Sequence, residues 1–399
     1  MRWPALRGVV QCPHGLAIAA VLLVCLIGAA PASARTTTAL EVRAAGAPQA
    51  VFGSDGRERV EYDLVVTNVF SADATLQSLE VRGDGRRLFT LTGDALTEVT
   101  RQLFTEDPTA TIPAATAAFI QVSLVLPRSY GRTPPRRLTN RIRYAIPPDA
   151  PSGGIIGGTV ADSPVLRVDR RAPMVIAAPV RGAGWLNVNG CCEDPTSPHR
   201  MTVLASGGSY VTPEMFAIDW IHETGGAFFT AGGMANTDWP GFGVPLHAVA
   251  DGTVVSTTDG LPDIPPLTKN PDLRTPEDYA GNNVMVRIAP HRYAVFDHMI
   301  TGSVRVRPGQ RVRTGQVLGL LGNSGNTDGP HLHFGIQTRP DSLSASVPFE
   351  IDDFVVEGNV GPPPAPGVVT PLSGKPHQVR RALPLIATDA KLTPGRPGA

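Results

Sequence analysis

The sequence predicts an all-β chain of two packed units with tails, and three observations predict it. At 399 residues with an ordinary apolar share of 42%, the chain is too long for one domain. No segment keeps a helical period of apolar residues over three turns. Short runs that alternate β-branched or aromatic with polar side chains recur between Gly, Asp and Pro from residue 39 onward.

Taken in order, the chain opens with Arg2 and Arg7, the apolar run "GLAIAAVLLVCLIGAA" and then Ala32-Ser33-Ala34. That layout predicts a signal peptide over 1–34, cleaved after Ala34, and an exported protein: extracellular, periplasmic or cell-wall associated. The rival, an uncleaved anchor, needs a longer apolar span, and no membrane span is expected after cleavage. Val24 before Cys25 argues against lipid attachment. Residues 39–169 hold runs such as "RVEYDLVVTNV", "LQSLEVRG" and "AAFIQVSLVLP", the pattern of an antiparallel sandwich of about seven strands. With no His there, it reads as an immunoglobulin-like spacer or binding module with a possible protein partner.

Residues 170–198 read as a linker, with Trp185 available to dock on a neighbouring domain. This stretch carries Cys191 and Cys192, the only cysteines left once Cys12 and Cys25 go with the signal. In an oxidising compartment such a pair closes a vicinal disulfide, pairs between chains or binds metal, and oxidation is favoured. Residues 199–354 again read as strand and turn, a second compact all-β unit. After "GPPPAPG", residues 355–399 are expected to be extended or disordered. The formal net charge of zero gives no reason to expect nucleic acid. In "VRVRPGQRVR", Val304 and Val306 alternate with Arg305 and Arg307 as on a half-buried strand.

The chemistry concentrates in "GNSGNTDGPHLHFGIQ" (322–337). On an extended chain His331 and His333 share one face, Leu332 and Phe334 the other, a geometry suited to a metal. "VPLHAVADGTVV", "VRPGQRVRTGQVLGLLGNSGN" and "GPHLHFGI", in this order, resemble the lysostaphin and LytM-type zinc metallopeptidases that cleave peptidoglycan cross-bridges. The likeness covers roughly residues 199–340.

The resemblance implies a LytM-type β-sheet core (a duplicated hybrid motif, barrel-sandwich hybrid-like), a zinc cofactor and a peptidoglycan peptide as substrate. It also implies Asp219 and His333 as zinc ligands, His331 as the group that activates water and His298 as the one that steadies the oxyanion. The family's remaining ligand, a His four residues before the Asp, falls on Met215, whose thioether is a poor zinc ligand.

Two readings follow. One is an active zinc endopeptidase; the other is a degenerate member that binds cell wall or regulates another hydrolase. His199 is the candidate to fill the vacant corner: a hairpin turning at Gly207-Gly208 pairs residues whose numbers sum to about 415, placing His199 and Arg200 opposite Phe216 and Met215 unless Pro213 breaks the register. His222 lies an odd step from Asp219 and should face away from it. His247, His291 and His377 have no evident partners. The Pro- and Asp-rich stretch 257–283 either walls the groove or is a plain insertion. A biotinyl or lipoyl carrier is disfavoured, since no Lys occupies a hairpin tip in "GQVLGLLGNSGN".

Overall fold

The computed structural model describes residues 37–393 except 104, 106, 151–155, 157, 363 and 364, so the expected signal peptide lies outside the described residues. The chain is all-β, as expected. Its α-helices among the described residues are six residues or shorter, and no closed barrel is present among them. No described helix is long and apolar enough to cross a membrane.

The first part is a sandwich of a five-stranded and a six-stranded antiparallel sheet. The expected seven strands are exceeded because edges as short as Thr111–Ile112 and Leu166–Arg167 join the longer strands. Alternation sets its two faces. Val60, Tyr62 and Leu64 of the strand Glu58–Asn68 enter the core, and the Tyr62 hydroxyl donates 2.6 Å to Asn140 Oδ1 on Arg137–Ala145 of the opposite sheet. Glu61 and Asp63 point the other way, yet they are buried as well.

The second part is built on an eleven-stranded sheet. Its middle runs, in order, Thr388–Leu392, Gly182–Asn189, Ile218–His222, Leu332–Gln337, Arg292–Met299 and Asn282–Ala289. This corrects two expectations. The supposed linker 170–198 contributes Met174–Ile176 and Gly182–Asn189, with Trp185 fully buried in the same molecule's core. The supposed tail 355–399 contributes the end of Phe349–Asn359 together with His377–Ala382 and Thr388–Leu392, burying Val379, Ala382, Ala390 and Leu392. The partners of these strands are distant in sequence, so local composition concealed them.

Cys191 and Cys192 are disulfide-bonded to each other and buried at the end of Gly182–Asn189. The run at 304–313 keeps its alternation, with Val306 buried between exposed Arg305 and Arg307, but only Arg311–Val312 pairs as a strand.

Candidate active site

Three neighbouring strands bring the site together. Asp219 stands opposite Asn189 on one side and His333 on the other, a single row across the sheet. Asp219 Oδ1 lies 2.9 Å from His333 Nδ1, and Asp219 Oδ2 accepts from Asn189 Nδ2 at 2.9 Å. His331 sits just before the strand and turns to the same face, its Nε2 3.5 Å from Asp219 Oδ1, while Leu332 and Phe334 fill the core beneath. The expected alternation of the HxH pair therefore holds.

His199 also arrives, by a different route from the one expected. The hairpin does pair residues summing to 415, Leu204 with Val211 and Ala205 with Tyr210, but pairing stops before Pro213. His199 instead rides on the helical turn Pro198–Met201, and its Nε2 reaches within 3.2 Å of Asp219 Oδ2. His199 Nδ1 donates 3.1 Å to Ala217 O, since a carbonyl only accepts, which leaves the Nε2 lone pair toward the cluster. Met215 is 2% exposed and belongs to the hydrophobic core.

One ligand atom each from His199, Asp219 and His333 lies within 4.8 Å of the other two. Two imidazoles and a carboxylate are a catalytic zinc donor set that leaves a fourth position open. His333 Nδ1 stands 2.9 Å from Asp219 Oδ1 and His199 Nε2 3.2 Å from Asp219 Oδ2, so the two imidazoles flank the carboxylate, one at each oxygen.

His298 is the last residue but one of the strand Arg292–Met299, with φ of 65°, and donates from Nδ1 to Ser324 O at 2.8 Å. Its ring centre is 4.6 Å from that of His331, whose own Nδ1 donates 2.8 Å to Gly329 O. Backbone carbonyls thus fix both tautomers and leave each Nε2 for chemistry.

Electrostatics follow from burial and crowding. Burial opposes the charge of Asp219, but the imidazoles around it outweigh this and hold its carboxyl well below the usual range. Burial likewise opposes a charged His333, yet the hydrogen bond and charge of Asp219 raise it to about 9. His331 is raised too, burial being outweighed by Asp219. His298 is pushed well below normal by burial and by the charges of His331 and His333.

The cluster floors a groove of about 750 Å³ that Trp239, Leu267, Arg274 and Tyr279 also line. The stretch 257–283 therefore walls the groove. It is tied to the loop before His331 by Leu267 N to Asp328 O at 2.7 Å, Asn326 N to Tyr279 O at 2.9 Å and Asn270 Nδ2 to Gly325 O at 3.0 Å.

His222 faces away as expected, its ring edge-on to Trp185 at 4.8 Å; His247 bonds Gly315 O, and His377 bonds Lys375 O. Sequence reasoning missed Asn189 and the buried Asp297, which burial pushes up to about 7. An Asn or Asp within a strand carries no local signal of what it will face.

A buried His-Asp-His set stands with two further imidazoles in a groove of an all-β domain, a grouping that could hold a metal ion. Residues 237–345 match the profile of Peptidase family M23, in keeping with the resemblance to lysostaphin and LytM-type peptidases that the motifs carry. The matched segment holds His298, His331 and His333; His199, Met215 and Asp219 precede it.

Among curated proteins the chain is similar to the peptidoglycan DD-endopeptidase ShyA of Vibrio cholerae, 31% identical over 109 residues, which are 27% of this chain and 21% of that protein. ShyB of the same organism is 30% identical over 112 residues, with the same shares. The chain thus spans about a fifth of the length of the curated relatives it matches. A solved structure, the catalytic domain of the prophage-encoded M23 protein EnpA from Enterococcus faecalis, aligns with 43% of this chain and 93% of its own at 17% identity and a TM-score of 0.26.

Proposed function

We propose that this chain is an exported zinc metalloendopeptidase that hydrolyses peptide bonds of cell-wall peptidoglycan. The observation that carries the reading is His199 beside Asp219 and His333, which supplies the ligand that Met215 cannot. The kinship of residues 237–345 with peptidoglycan endopeptidases supports the substrate class. The degenerate reading rests on Met215, and His199 beside Asp219 counts against it.

His199, Asp219 and His333 would hold the metal. A zinc ion bound there supplies Lewis-acid polarisation of the scissile carbonyl and lowers the pKa of water. Asp219, once committed to the ion, no longer raises His331, which reverts toward a neutral ring whose Nε2 takes a proton from water. His298 faces the developing oxyanion. Its Nδ1–H is already given to Ser324 O, so its Nε2 would donate there only with a second proton, which burial and the charges of His331 and His333 oppose and which becomes easier to hold once those two rings are neutral. The groove, walled by the 257–283 segment, holds the peptide in an extended run along the sheet face.

The test is zinc stoichiometry of the purified full chain, then digestion of cross-linked muropeptides with identification of the new termini. About one zinc per chain with cleavage of cross-links is expected. A folded, zinc-loaded chain that leaves every cross-linked muropeptide intact sinks the reading.

A further inference from the structure

The ligand His199 has a neighbour with no role in the groove. Arg200 is 2% exposed, and one residue along a helical turn swings a side chain by about 100°. His199 therefore points to the cluster while Arg200 points to the β-sandwich. There its Nη2 donates 3.2 Å to Asp63 Oδ1 and lies 3.7 Å from Glu61 Oε2. The sandwich also grips the backbone of the turn, Gln121 Nε2 donating 2.8 Å to Arg200 O.

These partners share one face. Glu61 pairs with Ser123 and Asp63 with Gln121 across the strands Glu58–Asn68 and Ala117–Val125, and Ser123 Oγ donates 2.7 Å to Glu61 Oε1. Around them Val65 and Phe119 of the same face pack on Val203, just after the turn. An outward sandwich face that alternation would leave to solvent is thus closed by the segment that carries a metal ligand.

The ionic cluster is poorly suited to stability alone. Arg200 Nε and Nη1 and the Asp63 Oδ2 oxygen find no hydrogen-bond partner among the described residues, and apolar side chains of similar size usually stabilise a buried site at least as well. Directional groups fix one docking geometry where apolar groups tolerate several.

We propose that the β-sandwich is part of the metal site: Arg200, held by Asp63, Glu61 and Gln121, is a positioning residue that sets His199 at the corner beside Asp219. This rests on the zinc reading above. The sandwich then does more than space or tether the domain, because the third ligand is only in place while the sandwich is docked.

The experiment uses the full chain and three variants: His199→Ala, the shape-preserving triple Glu61→Gln/Asp63→Asn/Arg200→Met, and the mild Gln121→Met. Zinc affinity is measured by chelator competition, thermal stability is measured metal-free, and ligand geometry is read from the visible spectrum of cobalt(II)-loaded protein. For the triple variant we expect a melting temperature near wild type, zinc binding weaker by about 10–100-fold, as when the support of a metal ligand is lost, and an altered cobalt spectrum. A folded triple variant with wild-type zinc affinity and cobalt spectrum overturns the proposal. Should the triple variant fail to fold, Gln121→Met decides: weakened zinc binding supports the anchor, and unchanged binding rejects it. Absence of zinc binding by the wild-type chain, or wild-type affinity in His199→Ala, removes the zinc reading and the proposal together. That failure is seen without reference to the anchor variants.

Discussion

Raising the pH from 7.5 to 9.5 should move the metal-free and the zinc-loaded protein in opposite directions. In the metal-free chain His333 is raised from 6.5 to about 9 by the Asp219 hydrogen bond and charge, which outweigh burial. A group raised on folding contributes stability that is fully present below its unfolded pKa and is lost as pH climbs through the folded value. The gap of about 2.5 units corresponds to about 3 kcal/mol, lost between pH 6.5 and 9, with His331 adding in the same sense. Buried acids that burial raises act with the same sign at lower pH: Glu61 to about 7, Asp63 to about 6 and Asp297 to about 7. The window above pH 7.5 therefore isolates the imidazoles. Zinc must displace the His333 proton, so its apparent affinity should rise about tenfold per pH unit up to about pH 9, strengthening the loaded form as the empty one weakens. Thermal melts with and without zinc, and calorimetry in buffers of different ionisation enthalpy, measure both. A metal-free melting temperature that stays flat from pH 7.5 to 9.5, or zinc binding that releases no proton at pH 7.5, would refute the assignment of His333 and Asp219 as a charged pair that the metal takes over.

Three further outcomes follow from the geometry. His199→Ala should weaken zinc binding by about two orders of magnitude or more, since it removes one of only three protein ligands, and equilibrium dialysis checks it. His331→Gln should lower kcat by about 10²–10⁴ with zinc content unchanged, which muropeptide turnover and metal analysis measure together. Gly281→Ala should destabilise the chain by about 1–3 kcal/mol in denaturant melts and lower turnover, because Gly281 has φ of +67° and a Cβ there would meet Ser324 O, the acceptor of His298, at 2.3 Å.

The part of the site that was legible is the part governed by strand geometry. The alternation of "HLHF" put His331 and His333 on one face, and an odd step sent His222 to the other. His199 was legible only in outline. The pairing sum of 415 is obeyed by Leu204 and Val211, but pairing stops before Pro213, and what brings His199 to Asp219 is a four-residue helical turn pressed against another sheet. That contact joins Arg200 to Asp63, 137 residues away, and no local pattern encodes it. The strand Thr388–Leu392 was hidden for a similar reason, its partners being Phe349–Asn359 and Gly182–Asn189 rather than a neighbouring hairpin arm.

These long-range pairings decide what the smallest working unit is. Asp219 lies on Ile218–His222, whose neighbour Gly182–Asn189 supplies Asn189 to its second carboxylate oxygen. Gly182–Asn189 is in turn held by Thr388–Leu392, and Asn187 within it donates 3.0 Å to Pro384 O. A cut at residue 199 or 354 would strip that side of the sheet, expose the edge beside Asp219 and release the partner of its carboxylate. A cut that removes the sandwich would free the turn that carries His199. The placement of His199, Asp219 and His333 thus depends on three separate stretches of chain, the sandwich face, the segment around 182–189 and the C-terminal strands. The site is a property of their joint docking, with the HxH strand as the one ligand-bearing element whose geometry is set locally.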